Sequence, residues 1–136
     1  MGEIIDGKAI AEKVKEEVKK EMEILKGEGI EPKLVAVQAG ENPASAVYTN
    51  QQKKNCEKAG IRYELKNLAQ DITEAQLISE IQRMNADKSI TGIILQLPLP
   101  QGIDVRKVQA SILPEKDVEG VNPANMGWIV YGRPYL

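Results

Sequence analysis

Tyr48 and Gln52 stand four residues apart in a segment with helical character, and Ser45 precedes Tyr48 by one turn. That spacing places three polar groups along one helix face, where they line a pocket wall or, equally, cap and pack a half-buried helix. A second candidate is Gln96, a carboxamide at the end of the apolar run 92–95 and ahead of Pro98 and Pro100. A glutamine there is satisfied by local backbone or aimed at a ligand, since an unpaired amide costs on the order of 1–3 kcal/mol. A third is the charged string 114–120, Pro-Glu-Lys-Asp-Val-Glu-Gly, which by default reads as a solvated loop.

The rest of the composition narrows the chemistry. Histidine is absent and Cys56 is the only cysteine among 136 residues. That removes Ser-His-Asp and Cys-His pairs, histidine-based zinc sites and internal disulfides, and leaves acid/base work to Lys, Tyr or carboxylates. Cys56 reads as a small core residue, because no cation shares its helix face. Lys+Arg 18 against Asp+Glu 20 gives a net charge of −2, too balanced for a nucleic-acid or anionic-membrane surface. The start of the chain lacks an export signal and the longest central apolar run, 93–95, is far too short for a bilayer, so a cytoplasmic setting is expected, with no metal bound.

The elements that must position these residues follow from periodicity. Asp6 caps a helix whose apolar stripe is Ile10, Val14, Val18, Met22 and Leu25, with Gly27 and Gly29 ending it. Residues 33–38 form a buried strand, Asn42-Pro43 opens a helix closed by Gly60, and 61–66 alternates as a second strand. Thr73 and Gln76 have capping-box spacing for a helix stopping near Asn85; 91–97 is a third strand; Asp104 caps a fourth helix through Ile112. Beyond residue 115 the Gly- and Pro-punctuated tail reads as extended or looped chain. Alternating strands and helices imply a three-layer α/β/α fold with a mainly parallel sheet, 1–136 as one domain, and a site outside the carboxyl ends of the strands. No G-x-G-x-x-G follows any strand, so no dinucleotide fingerprint is present.

Taken together, 6–8 (Asp-Gly-Lys), 40–48 (Gly-x4-Ser-x2-Tyr), 59–61 (Ala-Gly-Ile), 92–100 (Gly-Ile-Ile-Leu-Gln-Leu-Pro-Leu-Pro), 114–120 and 125–127 (Asn-x-Gly) resemble the bifunctional methylenetetrahydrofolate dehydrogenase/cyclohydrolase family, in its N-terminal folate-binding domain. The resemblance implies a tetrahydrofolate ligand and, for the complete enzyme, NAD(P) held by a separate Rossmann-type domain entered just after 132–136, so that no cofactor is expected on this chain and it is expected to be inactive alone as a dehydrogenase. It also allows a homodimer. Residue by residue, it implies that Tyr48 stacks on the folate, Gln96 serves the catalytic site, and Leu95 and Leu97 flank it. The family's lysine position is occupied by Gln52, and its pterin-binding aspartate position by Glu119. A carboxamide does not titrate in the working range, so cyclohydrolase activity is expected to suffer more than dehydrogenase activity. Two other readings stand beside this one: a helix bulge that turns Lys53 into the pocket, and a non-catalytic module that binds folate weakly or docks a partner chain.

Overall fold

A computed structural model describes residues 2, 4–40 and 43–133. The expected junction at 134–136 and the expected cap Asn42 lie outside them. In chain order the elements are α1 (Gly7–Gly27), β1 (Lys33–Ala39), α2 (Pro43–Ala59), β2 (Arg62–Leu68), α3 (Glu74–Ala86), β3 (Gly92–Leu95), α4 (Val105–Ala110), a 3-10 turn (Pro114–Lys116) and α5 (Pro123–Val130).

The sheet is wholly parallel with strand order β2-β1-β3. Leu34 is level with Tyr63 and Gly92, and Val37 with Lys66 and Leu95. Because β2 lies on one side of β1 and β3 on the other, right-handed crossovers put α2 and α3 on opposite faces of the sheet, which is the expected three-layer α/β/α arrangement. Strand alternation then sorts the side chains. Val35, Val37, Ile93 and Leu95 meet Leu77, Ile81 and Met84 of α3 in the core, joined by Val108 and Ile112. Leu77 and Ile81 are wholly buried, worth about 1.5–3 kcal/mol each. Leu34, Ala36, Gln38 and Tyr63 belong to the other face, toward α2.

The caps explain the boundaries. Asp6 Oδ1 accepts from the Lys8 and Ala9 amides, 3.1 Å each, and Thr73 and Gln76 form the capping box of α3. Asp104 accepts from the Arg106 and Lys107 amides at the start of α4.

Several expectations are corrected. Strand β2 runs 62–68 rather than 61–66, and β3 ends at Leu95 rather than 97. Helix α3 passes Asn85 to Ala86; the Asn85 side chain serves α4 instead, donating to Ser111 O at 2.7 Å and accepting from Leu113 N at 3.1 Å. The α1 stripe is only partly covered: Met22 is buried where α1 meets α2, while Ile10 and Val14 are 53% and 51% exposed. The tail is not looped, since Asn122 caps α5 and Pro123 suits its first turn.

The string 114–120 departs furthest from a solvated loop. Asp117 is 1% exposed and bridges to Ile93 at the β3 edge. Its carboxylate accepts from Val121 N (3.2 Å), Asn122 N (2.7 Å) and Asn125 Nδ2 (2.9 Å). Lys116 Nζ donates to Met84 O and Asp87 O at 2.9 and 2.6 Å, satisfying carbonyls at the end of α3. These anchors fix where Glu119 stands.

Candidate functional site

The carboxyl end of β3 with the segment that follows it, the first turns of α2, and residues of α4 and of the 119–121 segment enclose an open cleft of about 480 Å³. Ser45 and Tyr48 form its α2 wall; Leu95, Gln96, Leu97 and Pro98 form its floor; Gln109, Glu119 and Val121 close the far side. Leu97-Pro98 is a cis peptide. Among the residues expected at the site, Tyr48, Leu95, Gln96, Leu97 and Glu119 share this cleft, and Gln52 joins them through Gln96.

Gln96 follows the last residue of β3 with its amide still paired to Val37 O at 2.8 Å, so the backbone holds it in the line of the sheet. The residue is 6% exposed, and its Nε2 donates to Gln52 Oε1 at 2.8 Å. Two readings were open for Gln96, satisfaction by local backbone or aim at a ligand; its Nε2 takes neither partner and pairs instead with a side chain of α2. Tyr48 is 59% exposed and presents its ring to the cleft. Helix α2 is regular through this stretch; Lys53 pairs with Glu57 at 3.9 Å with both side chains more than half exposed, so the bulge reading is overturned.

Glu119 is exposed overall, yet shielding of its carboxyl from water, and secondarily the charge of Asp117, raise its pKa above the usual glutamate value. Cys56 is buried and its thiol is pushed up by desolvation and then by Glu57, which keeps it protonated and unreactive. Among the described residues, no group of three or more His, Cys, Asp or Glu could hold a metal, and no helix is long and apolar enough to cross a membrane. At the end of β1, the space beside Gly40 is filled by the Gln70 side chain.

A second cleft, of about 300 Å³, lies between α1 and the end of α2. Its polar groups are surface charges such as Lys19, Glu23, Lys26 and Lys58, with no buried carboxamide among them, so it offers nothing comparable to Gln96.

Two residues escaped the sequence reading, and a third, Gln38, entered it only as a strand end facing the site. Tyr63 Oη donates to Gln52 Oε1 at 3.2 Å. Its inward phase in the alternating strand was legible, but as an apolar position only. Gln109 lies on α4 next to Val108, the buried residue of that helix, and lines the cleft. Gln38 sat in an apolar run; its Nε2 donates to Gly40 O at 2.9 Å and its buried Oε1 has no partner among the described residues.

The model of the tetrahydrofolate dehydrogenase/cyclohydrolase catalytic domain matches residues 5–119. The chain belongs to this family. Bifunctional protein FolD of Agathobacter rectalis is 45% identical over 134 residues, covering 98% of this chain and 48% of the relative. FolD of Moorella thermoacetica is 47% identical over 130 residues, 96% of this chain and 46% of that protein. The crystal structure of the Campylobacter jejuni bifunctional enzyme FolD superimposes with a TM-score of 0.92 at 40% identity, over 96% of this chain and 46% of that one. A 5,10-methylenetetrahydrofolate dehydrogenase from the silkworm Bombyx mori does so with 0.91 at 38% identity, over 98% and 47%. The chain thus spans about half the length of the FolD proteins it matches.

Proposed function

We propose that this domain binds tetrahydrofolate derivatives in the cleft between the end of β3 and α2 as the folate half of a methylenetetrahydrofolate dehydrogenase, with cyclohydrolase activity suppressed. The observation that carries it is the Gln96–Gln52 amide pair, whose Gln96 lines the same cleft as Tyr48 and Glu119. Tyr48 offers a flat, exposed face on which a pterin or aminobenzoate ring stacks. Glu119 accepts from the N–H groups of an aminopyrimidine edge, and charge makes those bonds stronger than neutral ones. Leu95 and Leu97 supply apolar edges around them.

Gln96 and Gln52 then lie by the one-carbon unit and orient it by hydrogen bonds. Hydrolysis of a methenyl bridge needs a group that passes protons as water adds and the ring opens, and neither amide can do so. Oxidation of a methylene bridge needs alignment from the folate side. Solved relatives of 30% and 28% identity are described with NADP and as NAD-dependent. On this reading NAD(P) is bound outside these 136 residues, and no step of the present chain runs through it.

The non-catalytic reading draws support from α5, whose Met126, Ile129, Val130 and adjoining Tyr131 are exposed, an apolar face suited to docking. Calorimetric titration with 5-formyltetrahydrofolate separates the two. Stoichiometric heat, together with a raised melting temperature, is expected; no heat and no thermal shift would favour the docking module.

A further inference from the structure

Two donors converge on one oxygen: Gln96 Nε2 and Tyr63 Oη both point at Gln52 Oε1, at 2.8 and 3.2 Å. An amide pair by itself has no preferred polarity. If both amides turned over, Gln52 Nε2 would donate to Gln96 Oε1 and the pair would keep one hydrogen bond. The tyrosine breaks that symmetry. In the turned-over arrangement its oxygen would have to accept, and its half-buried hydroxyl hydrogen would lose Gln52 Oε1, the acceptor recorded for it. Burial, and then the nearby Cys56 and Tyr48, push the phenol upward in pKa, so it stays a donor at neutral pH. With its carbonyl doubly occupied, Gln52 keeps only its NH₂ unpartnered among the described residues.

We propose that Tyr63 is a positioning residue that sets the polarity of the Gln52–Gln96 pair, so that Gln52 offers a ligand donors only. Resting on the folate reading, this selects folates whose one-carbon unit presents an acceptor, such as a formyl oxygen or a nitrogen lone pair. A lysine at position 52 would also be a pure donor, but a charged and titrating one. The polarity-locked amide keeps the direction of hydrogen bonding and discards the proton.

The test is nuclear magnetic resonance of the Gln52 and Gln96 side-chain amides in the 136-residue chain, with 5-formyltetrahydrofolate titrations, comparing parent and Tyr63→Phe. The parent should show one sharp pair of signals per amide. In Tyr63→Phe both amides should shift and broaden or double, and affinity for the formyl folate should fall about three- to tenfold with the melting temperature nearly unchanged. Unchanged amide signals and affinity would overturn the proposal. If the parent does not bind the folate but the amides still respond to Tyr63→Phe, the polarity device stands and the folate reading fails. Should the phenylalanine variant fold poorly, difluorotyrosine at position 63 preserves the shape. Raising the pH then ionises it to a pure acceptor and should move both amide signal pairs, while a flat titration of those signals would refute the mechanism.

Discussion

Gln96 Nε2 donates to Gln52 Oε1 at 2.8 Å, which joins the end of β3 to α2 through two carboxamides, neither of which titrates. Hydrolysis of methenyltetrahydrofolate requires no dinucleotide, so its rate reads this pair directly. The parent is expected to raise hydrolysis by less than about tenfold over the uncatalysed rate, because a carboxamide cannot pass protons, whereas general acid/base catalysis supplies about 10²–10⁴-fold. Gln52→Lys is expected to gain one to two orders of magnitude, with Gln96 turning its carbonyl toward the ammonium. A stopped-flow absorbance assay of both proteins decides it, and a fast parent would remove Gln52 as the cause of suppression.

On the proposed folate reading, Glu119 should set the pH dependence of ligand binding. Its carboxyl takes up a proton at higher pH than an ordinary glutamate, first because the cleft wall shields it from water and then because Asp117 is near. The ionised form accepts from an aminopyrimidine edge with both oxygens, while protonation removes the charge and turns one oxygen into a donor, so folate affinity should decline as pH falls, starting above the usual glutamate range. Glu119→Gln should bind more weakly at neutral pH and show a flatter profile. For stability the sign is opposite: a raised native pKa means ionisation of Glu119 costs a little folding energy as pH rises, so the glutamine variant should not unfold more easily at pH 7. Calorimetry from pH 5 to 8 and one thermal melt measure both.

Asp117 carries structure rather than binding. Three donors converge on its fully buried carboxylate and hold 121–125 against the β3 edge. Asp117→Ala strands those donors, and a loss of about 3 kcal/mol in urea-unfolding stability is expected, with Asp117→Asn intermediate. Because Glu119 and Val121 ride on the same segment, weaker folate binding should accompany the loss.

What was legible in the sequence follows from how local each signal is. Capping at Asp6, Thr73 and Asp104 depends on residues two or three apart, and each cap is present. The apolar runs place Val35, Val37, Ile93 and Leu95 in the core because their period and length leave little choice. The cleft was legible from strand ends and the Gln96 position. Strand ends drifted by one or two residues, since pairing rather than pattern decides them: Gln96 loses its strand assignment although its amide is still bonded to Val37. Asp117 and Tyr63 were misread for the opposite reason. Their partners are Ile93, Asn125 and Gln52, eight to twenty-four residues away, and charge or alternation alone cannot announce such contacts. The α1 stripe was legible as a face, but amphipathicity says nothing of what covers it, and only Met22 of that stripe is buried.

Lys116 tests the last of these long-range ties. Its ammonium reaches Met84 O and Asp87 O, carbonyls at the C-terminal end of α3 that also accept from Asp87 N (3.3 Å) and Ile90 N (3.2 Å), and it places a positive charge at the negative pole of that helix. Lys116→Met keeps the packing stem but deletes both bonds and the charge, so a loss of about 1–2 kcal/mol is expected. The effect should be centred on α3. Amide exchange at Met84, Asn85 and Asp87 should accelerate more than at the β1 residues Val35 and Val37, whereas equal acceleration at both would show that Lys116 acts on global stability and not as a cap.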